Sequence, residues 1–226
     1  MPTIALVAAG TRLGLSLGRV FGHRGFDVAL IARSEQRLGE LTAKLAEEGV
    51  QAAGFAADVT DRSALTSALN RAAERFGRID VLHYSSVPVG DTWILRDASE
   101  LTVENLKPQV ESICYGAISA THAVLPAMVS AGSGTLLYTT GGSSVTPTPW
   151  AATTGAAGAA LRNWALTLNG TLAGKGIYVG HVAIGVWIAG TPGMPDDASP
   201  MEPDTIAQLY WDLHTTRNTA ERVITA

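Results

Sequence analysis

Short apolar runs and helix-like segments alternate along the first half of this chain, at an interval of about 25 residues. The runs at residues 3–10, 27–33, 51–58 and 79–85 are largely apolar, which is typical of strands buried on both faces of a sheet. The first three are each followed by a segment whose apolar residues recur at helical spacing. Strand, helix and strand in series form right-handed crossovers, so the pattern predicts an α/β fold with a parallel sheet.

The second half continues this alternation after a loop near residues 87–100. The predicted elements are a helix at 108–131, a strand at 135–140, a helix at 150–173, a strand at 177–184, a helix at 204–216 and a short strand at 221–225. Residues 190–203 are rich in Pro, Asp and Gly, which predicts a loop. No change in composition divides the chain, so we expect one domain spanning 1–226.

Net charge, the length of apolar runs and the cysteine count exclude several classes of protein. The formal net charge of −4 disfavours binding to nucleic acid or to an anionic membrane. No apolar run reaches the roughly 18–20 residues of a membrane span, and the chain starts without the basic region of a signal peptide. Cys114 is the only cysteine, which fits a reducing compartment. We therefore expect a cytoplasmic protein that acts on a small molecule.

The first strand is followed by a glycine turn, Gly10 and Gly14, that opens the first helix. In such a turn, backbone N–H groups can approach the pyrophosphate of a dinucleotide, and the helix dipole favours the anion. This predicts a cofactor contact for the whole turn: Gly10, Thr11, Arg12, Leu13, Gly14 and Leu15. The alternative is a tight turn that needs glycine for its backbone alone.

The end of the second strand bears on the choice of cofactor. An NAD site offers an acidic side chain to the ribose 2′-hydroxyl, but this strand ends in Ala32, Arg33 and Ser34. A guanidinium suits a 2′-phosphate, so Arg33 favours NADP(H), with Arg12 as a possible second contact. The alternative is a solvated arginine at the start of a helix whose N-cap is Ser34.

Taken together, these residues make the chain resemble the short-chain dehydrogenase/reductase family over nearly its whole length. The matching segments are residues 10–14, 32–34, 57–61, 75–82, 121–128, 132–140 and 159–161. The resemblance implies a Rossmann-like, doubly wound sheet of about seven strands in the order 3-2-1-4-5-6-7. It also implies cofactor contacts from Ser34, Asp58, Val59, Ser85, Ser86, Gly185 and Trp187.

The chain departs from the family pattern where catalysis is expected. The resemblance places the family's catalytic Asn, Ser, Tyr and Lys at Ile113, Gly141, Thr154 and Gly158. In the family, the Tyr exchanges a proton with the substrate oxygen and the Lys lowers the pKa of that Tyr. A threonine hydroxyl is a very poor acid or base, and glycine has no side chain. The family's third turn glycine is Ser16, and residues 84–87 replace its Asn-Asn-Ala-Gly motif.

Other groups could act in place of the missing set. Ser143, Tyr84 and Tyr115 are candidate catalytic groups, although packing or solvation explains each of them as well. Gly141, Gly142, Ser143 and Thr154 are expected to line the substrate pocket. Gly155 and Gly158 within one helix suggest that another backbone comes close, or that the segment is under no demand. The five histidines have no metal-ligand spacing, so no metal is predicted.

The sequence therefore predicts an NADP(H)-binding oxidoreductase with an atypical active site. The alternative is a protein of the same fold that transfers no hydride, either an isomerase or cyclase or an inactive NADP-binding regulator. The helices at 108–131 and 150–173 resemble those that pair subunits in the family, so we expect a homodimer or homotetramer. The small residues expected on their outer faces are Ala117, Ser119, Ala120, Ala156 and Ala160.

Overall fold

Seven parallel strands form a single sheet in the computed structural model, which describes residues 1–86 and 95–225. Their order is β3-β2-β1-β4-β5-β6-β7, which confirms the predicted doubly wound topology. The strands are β1 (Thr3–Val7), β2 (Asp27–Ala32), β3 (Ala52–Ala56), β4 (Ile79–Tyr84), β5 (Gly134–Gly141), β6 (Ile177–Ile184) and β7 (Glu221–Ile224). Part of the predicted loop near 87–100 lies outside the described residues.

Helices cover both faces of the sheet. They are α1 (Leu13–Gly22), α2 (Glu35–Glu47), α3 (Arg62–Phe76), α4 (Val103–Val110), α5 (Gly116–Ala131), α6 (Ala152–Leu172) and α7 (Pro203–Thr216). Ile4 and Leu6 of β1 pack in one apolar core with α1, α2 and α7. Ala5 and Val7 pack in a second core with α3, α5 and α6. This alternation is the two-residue period of a strand buried on both faces.

The helix predicted at 108–131 begins earlier and contains a π-turn. Thr102 caps α4: its hydroxyl accepts from the Asn105 N–H at 3.4 Å, and the Asn105 side chain accepts from the Thr102 N–H at 3.0 Å. Pro108 lies inside α4 rather than at its start, because this reciprocal cap sets the beginning of the helix. The chain then passes through a π-turn, Glu111–Tyr115, directly into α5.

Together α4, the π-turn and α5 make one 29-residue helix, Val103–Ala131, with a mean hydropathy of 1.3 in its most apolar window. By length and composition it could cross a membrane, but half of that window is buried inside the fold. Ala117 and Ala120 are fully buried in the core, so the expectation that they face outward is wrong. They lie on the side of the helix that packs on the sheet. Ala156 and Ala160 of α6 are exposed, as expected.

Candidate active site

The sequence-predicted site residues lie mainly at one edge of the sheet. Parallel strands place all their carboxyl ends at that edge, where a doubly wound fold binds its ligand. The segments that follow these ends include Gly10–Leu15 after β1, Arg33 and Ser34 after β2, Asp58 and Val59 after β3, Ser85 and Ser86 after β4, Gly142–Ser144 after β5, and Gly185–Trp187 after β6.

The glycine turn has the form that an anion site requires. A Cβ on Gly14 would lie 3.1 Å from the Ala9 Cα, so glycine is what lets α1 start this close to the end of β1. A Cβ on Gly10 would meet no atom within 4 Å, which leaves open space beside the turn. The side chain of Arg12, the N-cap residue of α1, makes no hydrogen bond to the backbone N–H groups at the start of the helix. The residues present therefore fit the pyrophosphate of a dinucleotide.

Arg33 and Asp58 face each other beyond the ends of β2 and β3. The guanidinium and carboxylate are 3.9 Å apart, which is too long for a hydrogen bond, and both side chains are exposed. Asp58 instead accepts from the backbone and hydroxyl of Thr60 at 2.9 and 2.7 Å. Ser34 caps α2, which confirms its expected capping role. Arg12 donates to the Gly190 carbonyl at 3.4 Å, which ties the glycine turn to the loop after β6.

The phenol of Tyr84 points into the core rather than into the cleft. Tyr84 is fully buried, and its hydroxyl donates to the Ser112 carbonyl of the π-turn at 2.5 Å. Burial raises the pKa of Tyr84 far above its usual range. The Ser86 and Ser112 hydroxyls also pair, at 2.7 Å. Ile113, where the resemblance places the family's Asn, is a core residue within the same π-turn.

Tyr115 lies at the end of the π-turn, with its side chain on the surface. It is 44% exposed, and the Arg62 guanidinium stands 5.5 Å from the centre of its ring. This contact is a cation–π interaction between α3 and the π-turn. Both tyrosines therefore have partners within the fold, Ser112 for Tyr84 and Arg62 for Tyr115.

The helical glycines make room for a turn of the chain itself. Residues Gly142–Ser144 form a 3-10 turn directly after β5. A Cβ on Gly155 would lie 3.2 Å from the Ser143 carbonyl oxygen, and a Cβ on Gly158 would lie 3.1 Å from the Ser144 Cβ. Gly155 therefore makes room for the backbone of this turn, and Gly158 makes room for the Ser144 side chain. Thr154 lies one helical turn before Gly158, and its hydroxyl donates to the Ala151 carbonyl at 3.3 Å.

A chain of hydrogen bonds leads away from the 3-10 turn. The Ser144 and Thr140 hydroxyls are 2.7 Å apart, and Thr140 Oγ1 lies 2.8 Å from His181 Nε2. His181 Nδ1 lies 3.0 Å from Glu221 Oε1. Arg162 of α6 binds Glu221 through two N–H groups at 2.6 and 2.7 Å. This chain of hydrogen bonds was not predicted from the sequence, although His181 in the middle of an apolar strand indicates a buried polar group that needs partners.

The segments after β5 and β6 pass each other closely. A Cβ on Gly142 would lie 2.8 Å from the Gly185 Cα, so glycine is required at this crossing. Trp187 is 40% exposed beside it, and its carbonyl accepts from the Met201 N–H at 2.8 Å. That bond closes the loop after β6 on itself. Within residues 1–86 and 95–225, no three His, Cys, Asp or Glu side chains gather in a way that could hold a metal ion.

Known proteins share both the sequence pattern and the fold. Sulfoacetaldehyde reductase 2 of Chromohalobacter salexigens is 26% identical over 225 residues, covering 93% of this chain and 88% of that protein. L-Sorbose reductase of Gluconobacter frateurii, solved with NADPH and L-sorbose, has a TM-score of 0.85 at 18% identity, covering 99% of this chain and 95% of that one. Acetoin dehydrogenase of Enterobacter cloacae has a TM-score of 0.86 at 22% identity, covering 99% and 94%.

The short chain dehydrogenase family model matches residues 2–194, which include the glycine turn, the ends of β1 to β6 and all of α6. The match covers most of the chain and is consistent with the strand order of the sheet. This protein belongs to the short-chain dehydrogenase/reductase family of oxidoreductases.

Proposed function

We propose that this protein is an NADP(H)-dependent oxidoreductase that works without the family's usual catalytic residues. The observation that carries the cofactor choice is Arg33, exposed at the carboxyl end of β2, where Ala32 stands in place of an acid. The glycine turn would hold the pyrophosphate, and Asp58 and Val59 the adenine side. When bound, a nicotinamide cofactor exchanges a hydride with a carbon atom of the substrate.

Geometry supports the choice of NADP(H) over NAD(H). A 2′-phosphate carries two negative charges and pairs with a guanidinium through parallel N–H···O bonds. Arg33 forms only a long, exposed ion pair with Asp58, at 3.9 Å, and its N–H groups make no hydrogen bond to that carboxylate. Among similar proteins, L-sorbose reductase was solved with NADPH.

The proposed substrate is a small carbonyl compound or the corresponding alcohol. The names of the similar proteins point this way: sulfoacetaldehyde reductase, L-sorbose reductase and acetoin dehydrogenase. Gly141, Gly142, Ser143 and Thr154 are the proposed lining of its pocket. With Thr154 and Gly158 in place of Tyr and Lys, reduction of simple ketones and aldehydes should be slow, because general acid catalysis is typically worth 10²–10⁴-fold.

Replacing Arg33 by alanine tests the cofactor choice. A charged hydrogen-bonded contact contributes roughly 1.5–3 kcal/mol, so Arg33→Ala should weaken NADPH binding about tenfold to a hundredfold and leave NADH binding nearly unchanged. Fluorescence titration of both reduced cofactors measures this. Arg37→Ala is the matched control, because Arg37 is an exposed arginine on the first turn of α2. Equal affinities for NADPH and NADH that Arg33→Ala does not change would exclude the NADP(H) proposal.

One observation favours a second candidate function, a protein of this fold that transfers no hydride. All four positions of the family's catalytic set are changed, at Ile113, Gly141, Thr154 and Gly158. An isomerase, a cyclase or an NADP-binding regulator would tolerate this loss. Such a protein would bind NADPH without oxidising it in the presence of any carbonyl compound.

Assembly and location also belong to the proposal. We propose a homodimer or homotetramer that pairs through α5 and α6, with exposed Ala156 and Ala160 of α6 at the contact. Small exposed side chains allow two helices to approach closely. We propose that the protein acts in the cytoplasm, in keeping with its single cysteine, Cys114, which is buried and free.

A further inference from the structure

We propose that Ser144, Thr140, His181 and Glu221 form a proton relay that takes up the proton released at a substrate oxygen. This inference rests on the proposed oxidoreductase function and names the groups that would replace the missing Tyr and Lys. Ser144 is the residue that would touch the substrate. Thr140, His181 and Glu221 act through it as positioning and proton-carrying groups.

The relay is continuous and shielded from water. Consecutive groups are 2.7, 2.8 and 3.0 Å apart from Ser144 to Glu221, all within hydrogen-bonding distance. Ser144 is 6% exposed, Thr140 7% and His181 0%. A hydrogen-bonded network in a low-dielectric interior is stronger than the same network in water. Such a network conducts a proton without competition from solvent along its length.

Arg162 sets the direction of the hydrogen bonds. Its two N–H groups bind the Glu221 carboxylate and hold the pKa of Glu221 below its usual range, so the carboxylate is ionised and can only accept. His181 must therefore donate to it from Nδ1. Burial lowers the pKa of His181, and a neutral ring with its proton on Nδ1 leaves Nε2 as an acceptor. Thr140 then donates to Nε2, and Ser144 donates to Thr140.

This polarity fits Ser144 to accept a proton from a ligand. Because its own proton is directed at Thr140, the Ser144 oxygen can only accept a hydrogen bond from a ligand hydroxyl. Ser144 also lies beside Gly158, where the resemblance places the family's catalytic Lys. Its Cβ is 3.1 Å from where a Cβ at residue 158 would be, so the serine occupies space that a side chain on Gly158 would need.

The relay would carry one proton from the substrate to the protein surface. The O–H bond of a substrate alcohol breaks and its proton moves to Ser144 Oγ, while the Ser144 proton moves to Thr140 Oγ1 and the Thr140 proton to His181 Nε2. His181 becomes an imidazolium ion beside the Glu221 carboxylate. The Nδ1–H bond of His181 then breaks as Glu221 Oε1 accepts that proton, and Glu221, whose side chain is 22% exposed, releases it to solvent and leaves a neutral ring with its proton on Nε2. In the direction of carbonyl reduction, the same steps in reverse deliver one proton to the substrate oxygen.

A second buried histidine supplies the control for a purely structural role. His83 Nε2 lies 3.0 Å from the Thr139 hydroxyl, which also pairs with Tyr210 of α7. Thr139 and Thr140 are neighbours on β5, and their side chains point to opposite faces of the sheet. Thr139→Val and Thr140→Val therefore remove the same hydroxyl from a buried threonine–histidine pair. Only the second change breaks the path to Ser144.

The first arm of the test needs neither cofactor nor turnover. Nitrogen-15 NMR of the whole protein reports which ring nitrogen of each histidine carries the proton. We expect His181 with its proton on Nδ1 near neutral pH, and we expect Thr140→Val to shift the Nε2 resonance of His181 while Thr139→Val shifts that of His83. A proton on Nε2 of His181, donated to Thr140, would reverse the polarity and overturn the relay.

The second arm measures NADP-linked alcohol oxidation over a range of pH. Thr140→Val should lower kcat about a hundredfold. It should also abolish the acidic limb of the pH profile. That limb reports protonation of His181, which contacts Thr140 and the Glu221 carboxylate that Arg162 binds. Thr139→Val should keep both the rate and that limb. Thr140→Ser, which restores a hydroxyl, should recover most of the rate. Equal losses in Thr139→Val and Thr140→Val, or no recovery in Thr140→Ser, would overturn the relay.

The two arms separate the relay from the proposed function. If the wild-type protein binds NADPH but transfers no hydride to any carbonyl compound, the oxidoreductase proposal fails. The relay then has no substrate proton to carry, while the NMR measurement still determines the direction of its hydrogen bonds. If turnover is present and Thr140→Val matches wild type, the oxidoreductase proposal stands and the relay fails.

Discussion

The free energy of unfolding should fall by about 2 kcal/mol between pH 6.5 and pH 5 because of His83 alone. Burial lowers the pKa of His83 from 6.5 to about 3. Between these values the unfolded chain binds a proton that the folded protein does not, so stability falls as the pH drops, by about 1.4 kcal/mol for each pH unit. Burial, with nearby Arg217, also lowers the pKa of His214 to about 4, which acts in the same direction.

Urea unfolding of the protein at pH 7, 6 and 5 measures this slope. His83→Gln removes the titrating group and should flatten the dependence by about 1.4 kcal/mol per pH unit below pH 6.5. His122→Gln is the control, because His122 is exposed on α5. The same slope in wild type, His83→Gln and His122→Gln would contradict the assignment of His83.

Gly116→Ala should destabilise the protein by roughly 2–4 kcal/mol. A Cβ on Gly116 would lie 2.1 Å from the Tyr84 hydroxyl oxygen and 3.0 Å from the Val59 carbonyl oxygen. Tyr84 is fully buried and held by Ser112, so it has no room to give way. Overpacking a core costs about 1–3 kcal/mol, and displacing the phenol would also break its hydrogen bond, worth about 1 kcal/mol.

Gly170→Ala provides the control for this substitution. Gly170 is also a helical glycine, but a Cβ there would meet no atom within 4 Å. Alanine in an exposed helix interior is favoured over glycine by about 1 kcal/mol, so Gly170→Ala should stabilise the protein slightly. Chemical unfolding of both variants decides the matter. Equal changes in the two variants would show that the contact with Tyr84 is not what requires Gly116.

Most of the fold could be predicted from the sequence because its signals are local. The strand predicted at 177–184 coincides with β6, and β5 extends its prediction by one residue at each end. The start of α4 could not be placed, because Pro108 is a strong helix-start signal and the Thr102–Asn105 cap is a weaker one. The π-turn also has no sequence pattern of its own, since it depends on contacts such as that of Tyr84 with Ser112.

The cofactor-binding half of the candidate site could be predicted from the sequence, but the relay could not. The cofactor half follows from neighbouring residues, such as the glycine turn and Arg33 at the end of a strand. The relay joins Thr140, His181 and Glu221, which come from three strands far apart in the sequence. Each of these residues looks ordinary by itself, and only the register of β5, β6 and β7 brings them together. The need for glycine at position 158 is likewise explained only by the structure, which places the Ser144 side chain beside it.

Transfer of deuterium from a labelled cofactor tests the central claim most directly. NADPH deuterated at the transferable position is mixed with the protein and a panel of small hydroxy-carbonyl compounds, and the products are examined by mass spectrometry. We expect an alcohol product carrying one deuterium atom, formed faster with NADPH than with NADH. Bound NADPH that passes no deuterium to any compound would contradict it and would favour the protein of this fold that transfers no hydride.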